Sequence, residues 1–313
     1  MRERAMVPEP QFESYYGRPI LKEPTWKQPD IPVYLFVGGY AGTSAVLAAA
    51  AEATGRPALA RVGRIGAAAG AAIGTAALIH DLGRPGRFLN MLRVVKVTSP
   101  LSVGSWILAP FATLASAAAA SELTGVLPRV GRAAGLGAAA LGAPLATYTA
   151  ALISNTAIPA WHDAYREMPF LFAGSAAGAA AGMGLVGSPV DQAGPARRLA
   201  VVGAAAELLA QKQMERRLGM VGEPYGQGRP GRLLRAGSVL GVAGAIGAVA
   251  GSRSRVVSAL SGGALVVGSL LSRFGVFQAG LESARDPKYT VVPQRERAAQ
   301  HAVTGAPAPA PLP

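Results

Sequence analysis

Residues 168–190, MPFLFAGSAAGAAAGMGLVGSPV, run for 23 positions without a charged side chain. As a helix rising about 1.5 Å per residue, a segment of that length crosses roughly 30 Å of hydrocarbon. Outward from it, residues 31–51 and 101–121 are also uncharged over spanning length, and 133–161 is longer and equally uncharged. Residues 65–79, 236–251 and 256–272 are shorter and reach both interfaces only with their flanks, where Arg side chains can snorkel. An eighth apolar stretch, 199–211, carries Glu207. The expected fold is therefore an all-α integral membrane protein, a bundle of eight transmembrane helices over residues 31–281. A polar N-terminal tail (1–30) precedes it and a polar, partly disordered C-terminal tail (282–313) follows.

Composition agrees. Of the 313 residues, 50% are hydrophobic and 15% charged, against about 25% charged in soluble proteins. The chain has no Cys, which excludes disulfides, Cys-held zinc and a Cys-bound iron-sulfur cluster within it. Thirty Lys and Arg against seventeen Asp and Glu give +13, but many of these charges fall in short loops between spans. Anionic lipid headgroups, not nucleic acid, are the expected counter-charge. The first thirty residues are polar and interrupted by Pro8, Pro10, Pro19, Pro24 and Pro29, so no cleavable signal peptide is read and the first span targets the chain. From about Arg285 the chain is polar and ends in APAPAPLP, which cannot build a core; this tail is expected to be largely disordered.

An even number of spans puts both termini on one side, side A, with the loops 81–100, 162–167 and 212–235. Those loops hold eleven Lys and Arg and the four opposite loops nine, a margin that does not set the orientation. The tail 1–30 adds five basic and five acidic residues with Phe12, Tyr15, Tyr16 and Trp26, a pattern that suits docking to a partner. Gly38, Gly42, Gly66, Gly70, Gly74, Gly174, Gly178, Gly182, Gly241 and Gly244 recur at small-residue spacing, which allows close helix packing in lipid. A GC-rich genome, hinted at by five Lys against twenty-five Arg, is the alternative source of the Gly and Ala. Pro144 and Pro159 are expected kinks.

Polar residues that resist lipid gather at the side-A level. His80 and Asp81 end the second span, with Arg84 and Arg87 next; His162, Asp163, Arg166 and Glu167 lie between the fourth and fifth spans. Tyr34 and Tyr40, Tyr148 and Asn155, and Glu207 complete the set. Ionisable groups near membrane depth are functional candidates by default. Each also has a structural reading: a helix end meeting water for His80 and Asp81, loop solvation for His162 and Asp163, an aromatic belt for Tyr34, a structural hydrogen bond for Tyr148. His80 and His162 are the only histidines near the bundle, so a bis-His haem is not expected, and no metal site, Walker, Rossmann or Ser-His-Asp pattern is present.

Two segments resemble the NrfD/polysulfide reductase membrane-subunit family. Residues 79–106, IHDLGRPGRFLNMLRVVKVTSPLSVGSW, are similar to that family's LGRP-type turn before a Ser-Pro-containing third span. Residues 148–183, YTAALISNTAIPAWHDAYREMPFLFAGSAAGAAAGM, resemble its Tyr-bearing fourth span, Pro-Trp loop and PFLF-SA-type fifth span. PEPQFESYYGRP at 8–19 is similar to the start of bacterial short forms, and the resemblance extends over residues 29–273.

The resemblance implies a quinone-interacting membrane anchor of an oxidoreductase complex in a bacterial cell membrane. Its partners would be a ferredoxin-like iron-sulfur subunit and a molybdopterin catalytic subunit, and its cofactor menaquinone or ubiquinone, with no haem or cluster in this chain. The implied quinone-binding residues are Tyr148, His80, Asp81, Arg84, Tyr40 and Asn155, near side A. The family often has Asn or His early in the first span, where this chain has Tyr34 and Tyr40. A structural anchor without quinone chemistry, and a secondary transporter or ion-translocating permease, are the alternatives. A transporter would more often show inverted repeats and midplane charges, and no convincing repeat relates spans one to four to spans five to eight.

Overall fold

The computed structural model describes residues 20–84 and 86–304. Phe12, Tyr15 and Tyr16 of the expected docking tail lie outside the described residues, as does the terminal Ala/Pro run. The described residues form helices and loops, with no strand among them. The long helices are α1 (Asp30–Ala53), α2 (Pro57–Asp81), α3 (Pro100–Thr124), α4 (Pro128–Ser154), α5 (Met168–Gly187), α6 (Gly194–Leu218), α7 (Gly228–Ala250), α8 (Arg255–Arg285) and α9 (Lys288–Thr304). Proline opens α2 to α6, where its fixed φ suits the first turn and its missing N–H would have no helical partner. Ser99 and Ser254 cap α3 and α8, their hydroxyls accepting from the amides of Ser102 and Val257 at 3.5 and 3.4 Å.

Seven helices, α1 to α5 with α7 and α8, are long and apolar enough to cross a membrane. Helix α6 has the 25-residue length of α2 and packs against α5 and α7. Arg197, Arg198, Glu207 and Lys212 keep it out of the apolar class, so the expected count of eight is met by seven on composition. Other boundaries also move. The long fourth stretch ends at Ser154, and Pro159 opens a separate turn, Pro159–Asp163, instead of kinking a span. Pro144 lies within the unbroken α4. The segment after Arg285, expected to be largely disordered, is helical over Lys288–Thr304.

Helix α1 lies at the seam of the bundle, against α2, α4, α5 and α8. Small residues set the spacing. Gly42 of α1 and Gly142 of α4 meet backbone to backbone, and so do Gly182 of α5 and Gly262 of α8. Gly66 and Gly70 of α2 leave room for the Tyr40 ring of α1. The glycine series read from the sequence is thus an interface device at most positions, but Gly38 and Gly241 have nothing within 4 Å of where a side chain would start.

Side A is one physical end of the molecule. Residues 20–29 form a strap across it: the Lys27 amide donates to Asp81 Oδ1 at 2.9 Å, Glu23 pairs with Arg285 at 3.1 Å, and the Trp26 ring stacks 5.6 Å from that of Trp161. Trp161 is fully buried, donates its indole N–H to the Val276 carbonyl at 2.9 Å, and packs on Phe277 with no room for a side chain at Gly280. At the opposite end, side B, Arg64 of α2 bridges Glu52 of α1 and Glu122 of α3, and Arg132 of α4 reaches Glu52 at 3.0 Å.

A side chain at Gly182 would begin 2.5 Å from the Gly262 carbonyl oxygen, whereas one at Gly38 meets open space. Gly182→Val is expected to destabilise the bundle by about 1–3 kcal/mol through overpacking, and Gly38→Ala to be neutral or slightly stabilising. Thermal unfolding in detergent, followed by circular dichroism, checks the contrast.

Candidate functional site

The side-A residues singled out in the sequence fall into two layers. His80 and Asp81, closing α2, lie at the strap. His80 Nδ1 is 2.7 Å from Asp30 Oδ2, and its side chain is 75% exposed; Asp81 accepts from the Lys27 amide. The two are neighbours in sequence, but the partner of each is on the strap or the first turn of α1. Arg84 and Asn155 are exposed beside this layer. His162 Nδ1 lies 3.2 Å from the Ser154 carbonyl oxygen, which closes the end of α4.

Tyr148 and Tyr40 lie deeper. Tyr148 of α4 is 8% exposed, its ring against Gly104 of α3, and its hydroxyl, not itself buried, takes no hydrogen bond among the described residues. It lies six residues before the end of α4, about 9 Å below the side-A end at helical rise. Tyr40 is buried between α1 and α2, its ring 6.4 Å from Phe36. Tyr34 is buried in the core rather than standing in an interfacial belt.

The loop between α2 and α3 is open. Leu89, Val94, Val95 and Val97 are exposed beside Arg87, Arg93 and Lys96, and the loop is held by Ser102 Oγ and the Trp106 indole, which donate to the Val94 carbonyl at 3.0 and 3.3 Å. A cleft of about 360 Å³ lies between the strap and α8, lined by Glu23, Trp26, Arg229, Gln278 and Arg285 among others.

A second polar centre lies inside the bundle. Arg273 of α8 is fully buried; one guanidinium nitrogen donates to the Phe172 carbonyl at 2.6 Å, and the guanidinium covers the Phe172 ring at 3.7 Å. Its Nε and Nη1 have no hydrogen-bond partner among the described residues. Ser272 donates to Glu207 Oε1 at 2.6 Å, and Ser175 and Ser269 are joined at 2.8 Å. Glu207 is legible as a candidate in the sequence, and α6 continues past it to Leu218, so Lys212 and Glu215 lie within the same helix. Arg273 escapes a reading in which the apolar stretch 256–272 stops at Ser272; the apolar run VFQAGL just beyond is the signal that α8 continues.

Between the two centres, Glu167 accepts from Arg217 Nε at 2.6 Å, and Arg217 also donates to the Asp163 carbonyl. The guanidinium holds the Glu167 carboxyl below the usual carboxylate range. This pair ties α6 to the loop that carries His162.

A family model described as polysulphide reductase, NrfD, matches residues 23–192, more than half of the chain. The matched part holds the strap from Glu23, α1 to α5, and all six residues expected at the site; Glu207 and Arg273 lie outside it. No curated protein matches the chain.

A carboxylate held low contributes stability that is present above its ordinary pKa of about 4.3 and is lost as pH falls through its lower folded value. Glu167→Gln is expected to cost about 1–3 kcal/mol at pH 7, typical of a charged hydrogen bond, and the gap from the unsubstituted protein should close below the carboxylate range. Detergent-phase melts at pH 7 and in steps down to pH 3 measure it.

Proposed function

The chain belongs to the polysulphide reductase NrfD family, and from that premise we propose that it is the quinone-reactive membrane subunit of an oxidoreductase complex in a bacterial plasma membrane. Membership itself makes it a multi-pass membrane subunit of such complexes, in accord with its seven apolar helices. The finer reading is that an iron-sulfur subunit docks on side A, with a molybdopterin subunit behind it, and that electrons pass between its clusters and a quinone held among α1 to α4. Helix α6 is taken as an eighth crossing, so that both termini share side A.

One observation carries the reading: Tyr148 is only 8% exposed, yet its hydroxyl reaches the bundle surface and bonds to no described residue, within the family-matched helices and one to two turns beneath a charged end of the bundle. A spare phenolic donor in an apolar wall fits a carbonyl acceptor. When bound, a quinone supplies a two-electron, two-proton redox centre soluble in the hydrocarbon. Tyr148 donates to the ring oxygen and fixes its orientation. His80 exchanges protons with water at the exposed end, and Asp30 orients its imidazole through Nδ1. Arg84 and Asn155 border the mouth, and Tyr40 lies deeper, packed on Gly66 and Gly70 of α2. The exposed apolar and basic loop between α2 and α3, with the strap, supports docking of an acidic partner face.

Tyr148→Phe keeps the ring and removes the hydroxyl. Assembly should be intact and electron transfer from the partner's clusters to a soluble quinone analogue should fall about tenfold, the value of one hydrogen bond of ~1.4 kcal/mol. His80→Ala should slow turnover most where proton supply limits it. Normal rates and affinity in both variants would leave a structural anchor. Reporter fusions at both ends should read the same side of the membrane; opposite readings would remove α6 from the crossings.

A further inference from the structure

A third polar feature lies away from the proposed quinone region, at side B between α6 and α7. A groove of about 540 Å³ opens there, its mouth formed by Arg197, Arg198 and Ser252 and its wall by Val201, Val202 and Val249. The three valines are 44%, 64% and 54% exposed, so the wall is apolar and uncovered. Along α6, Arg198, Val202, Ala205 and Leu209 recur at helical spacing on one exposed stripe; on α7, Val239, Ala243, Ile246 and Val249 do the same. Each stripe runs from the interface toward mid-membrane.

The mouth is strongly basic. The loops flanking the groove, residues 188–198 and 251–255, carry Arg197, Arg198, Arg253 and Arg255 against one acid, Asp191. Arg197 uses one terminal nitrogen on the carbonyls of Val190 and Ser252, the latter at 2.9 Å, which pins the two loops together. Its Nε is buried without a partner among the described residues. Arg198 is exposed and makes no hydrogen bond or ion pair to any described residue. Guanidinium groups bind phosphate oxygens through paired N–H donors, and basic pockets between membrane helices suit anionic headgroups.

We propose that this groove binds an anionic phospholipid, its phosphodiester between Arg197 and Arg198 and one acyl chain along Val201, Val202 and Val249. A phosphate alone would leave the valine wall unused, and a zwitterionic lipid would bring a cation to a site that already has an excess of them. An anionic phospholipid satisfies both halves of the groove. It also joins α6, the most polar long helix of the bundle, to the lipid-facing surface of α7.

The test uses the full chain purified in detergent. Binding of phosphatidylglycerol, phosphatidylcholine and glycerol phosphate is measured by native mass spectrometry with lipid titration. Arg197 also holds two loops, so the informative variant is Arg198→Gln, with Arg198→Lys as the conservative control and the exposed side-B Arg129→Gln as the remote one. One phosphatidylglycerol should bind tightly and phosphatidylcholine at least tenfold more weakly, with no competition from glycerol phosphate. Arg198→Gln should weaken phosphatidylglycerol about tenfold while Arg198→Lys and Arg129→Gln stay within threefold. Val202→Asp, placing a carboxylate on the acyl wall, should also lose the lipid. Equal binding of both lipids, full displacement by glycerol phosphate, or wild-type affinity in Arg198→Gln would each overturn the proposal.

Discussion

Gly42 and Gly142 allow the backbones of α1 and α4 to touch, and without that contact α1 could not lie at the centre of the bundle. In lipid there is no hydrophobic gain from pressing apolar helices together, so association depends on close van der Waals approach and on polar contacts between helices. The pair Gly182 and Gly262 does the same for α5 and α8. These two seams bring α1, α5 and α8 together, and Arg273 is buried where they meet, on Phe172 of α5 and beside Gly39 of α1. The tight packing of small residues and the enclosed guanidinium are parts of one arrangement.

The two ends of the molecule solve different problems. At side B, Glu52, Arg64, Glu122 and Arg132 close the first four helices with a charge-balanced cluster, and Arg197 and Arg255 bond to loop or helix-end carbonyls. Such groups satisfy helix ends and fix their spacing. At side A, by contrast, charged groups are shared among the strap, the loops and the ends of α2, α6 and α8, and exposed apolar residues stand among them. An end built that way is where the proposed partner would dock.

Much of the fold was legible because its signal is local. Uncharged runs of spanning length mark α1, α3 and α5 directly, and the Gly and Pro positions set where helices approach and begin. What escaped depends on residues far apart in sequence. Arg273 read as the polar flank of a short span, since only the packing of α5 and α6 around it makes a buried arginine tolerable. Lys212 and Glu215 lie beyond the apolar stretch 199–211, yet α6 carries them to the side-A surface, where Gln211 and Glu215 hydrogen-bond at 3.1 Å. His80 and Asp81 read as a pair by adjacency, but adjacent residues on a helix point about 100° apart, and each found a separate partner around the strap. Trp161 read as part of a span; its role as the post between Trp26 and Phe277 needs three segments to be seen at once.

The strap joins the first described residues to the last crossing helix. Glu23 meets Arg285 across 262 positions of sequence, and Trp26 rests on a tryptophan that is itself seated on α8. During synthesis the strap emerges before any of the described helices, while the surface it must lie on does not exist until α8 has been inserted. Side A is therefore the last part of the molecule to be completed, and a chain that stalls before α8 cannot present it. The order of translation thus withholds the finished face from any partner until the whole bundle is in the membrane.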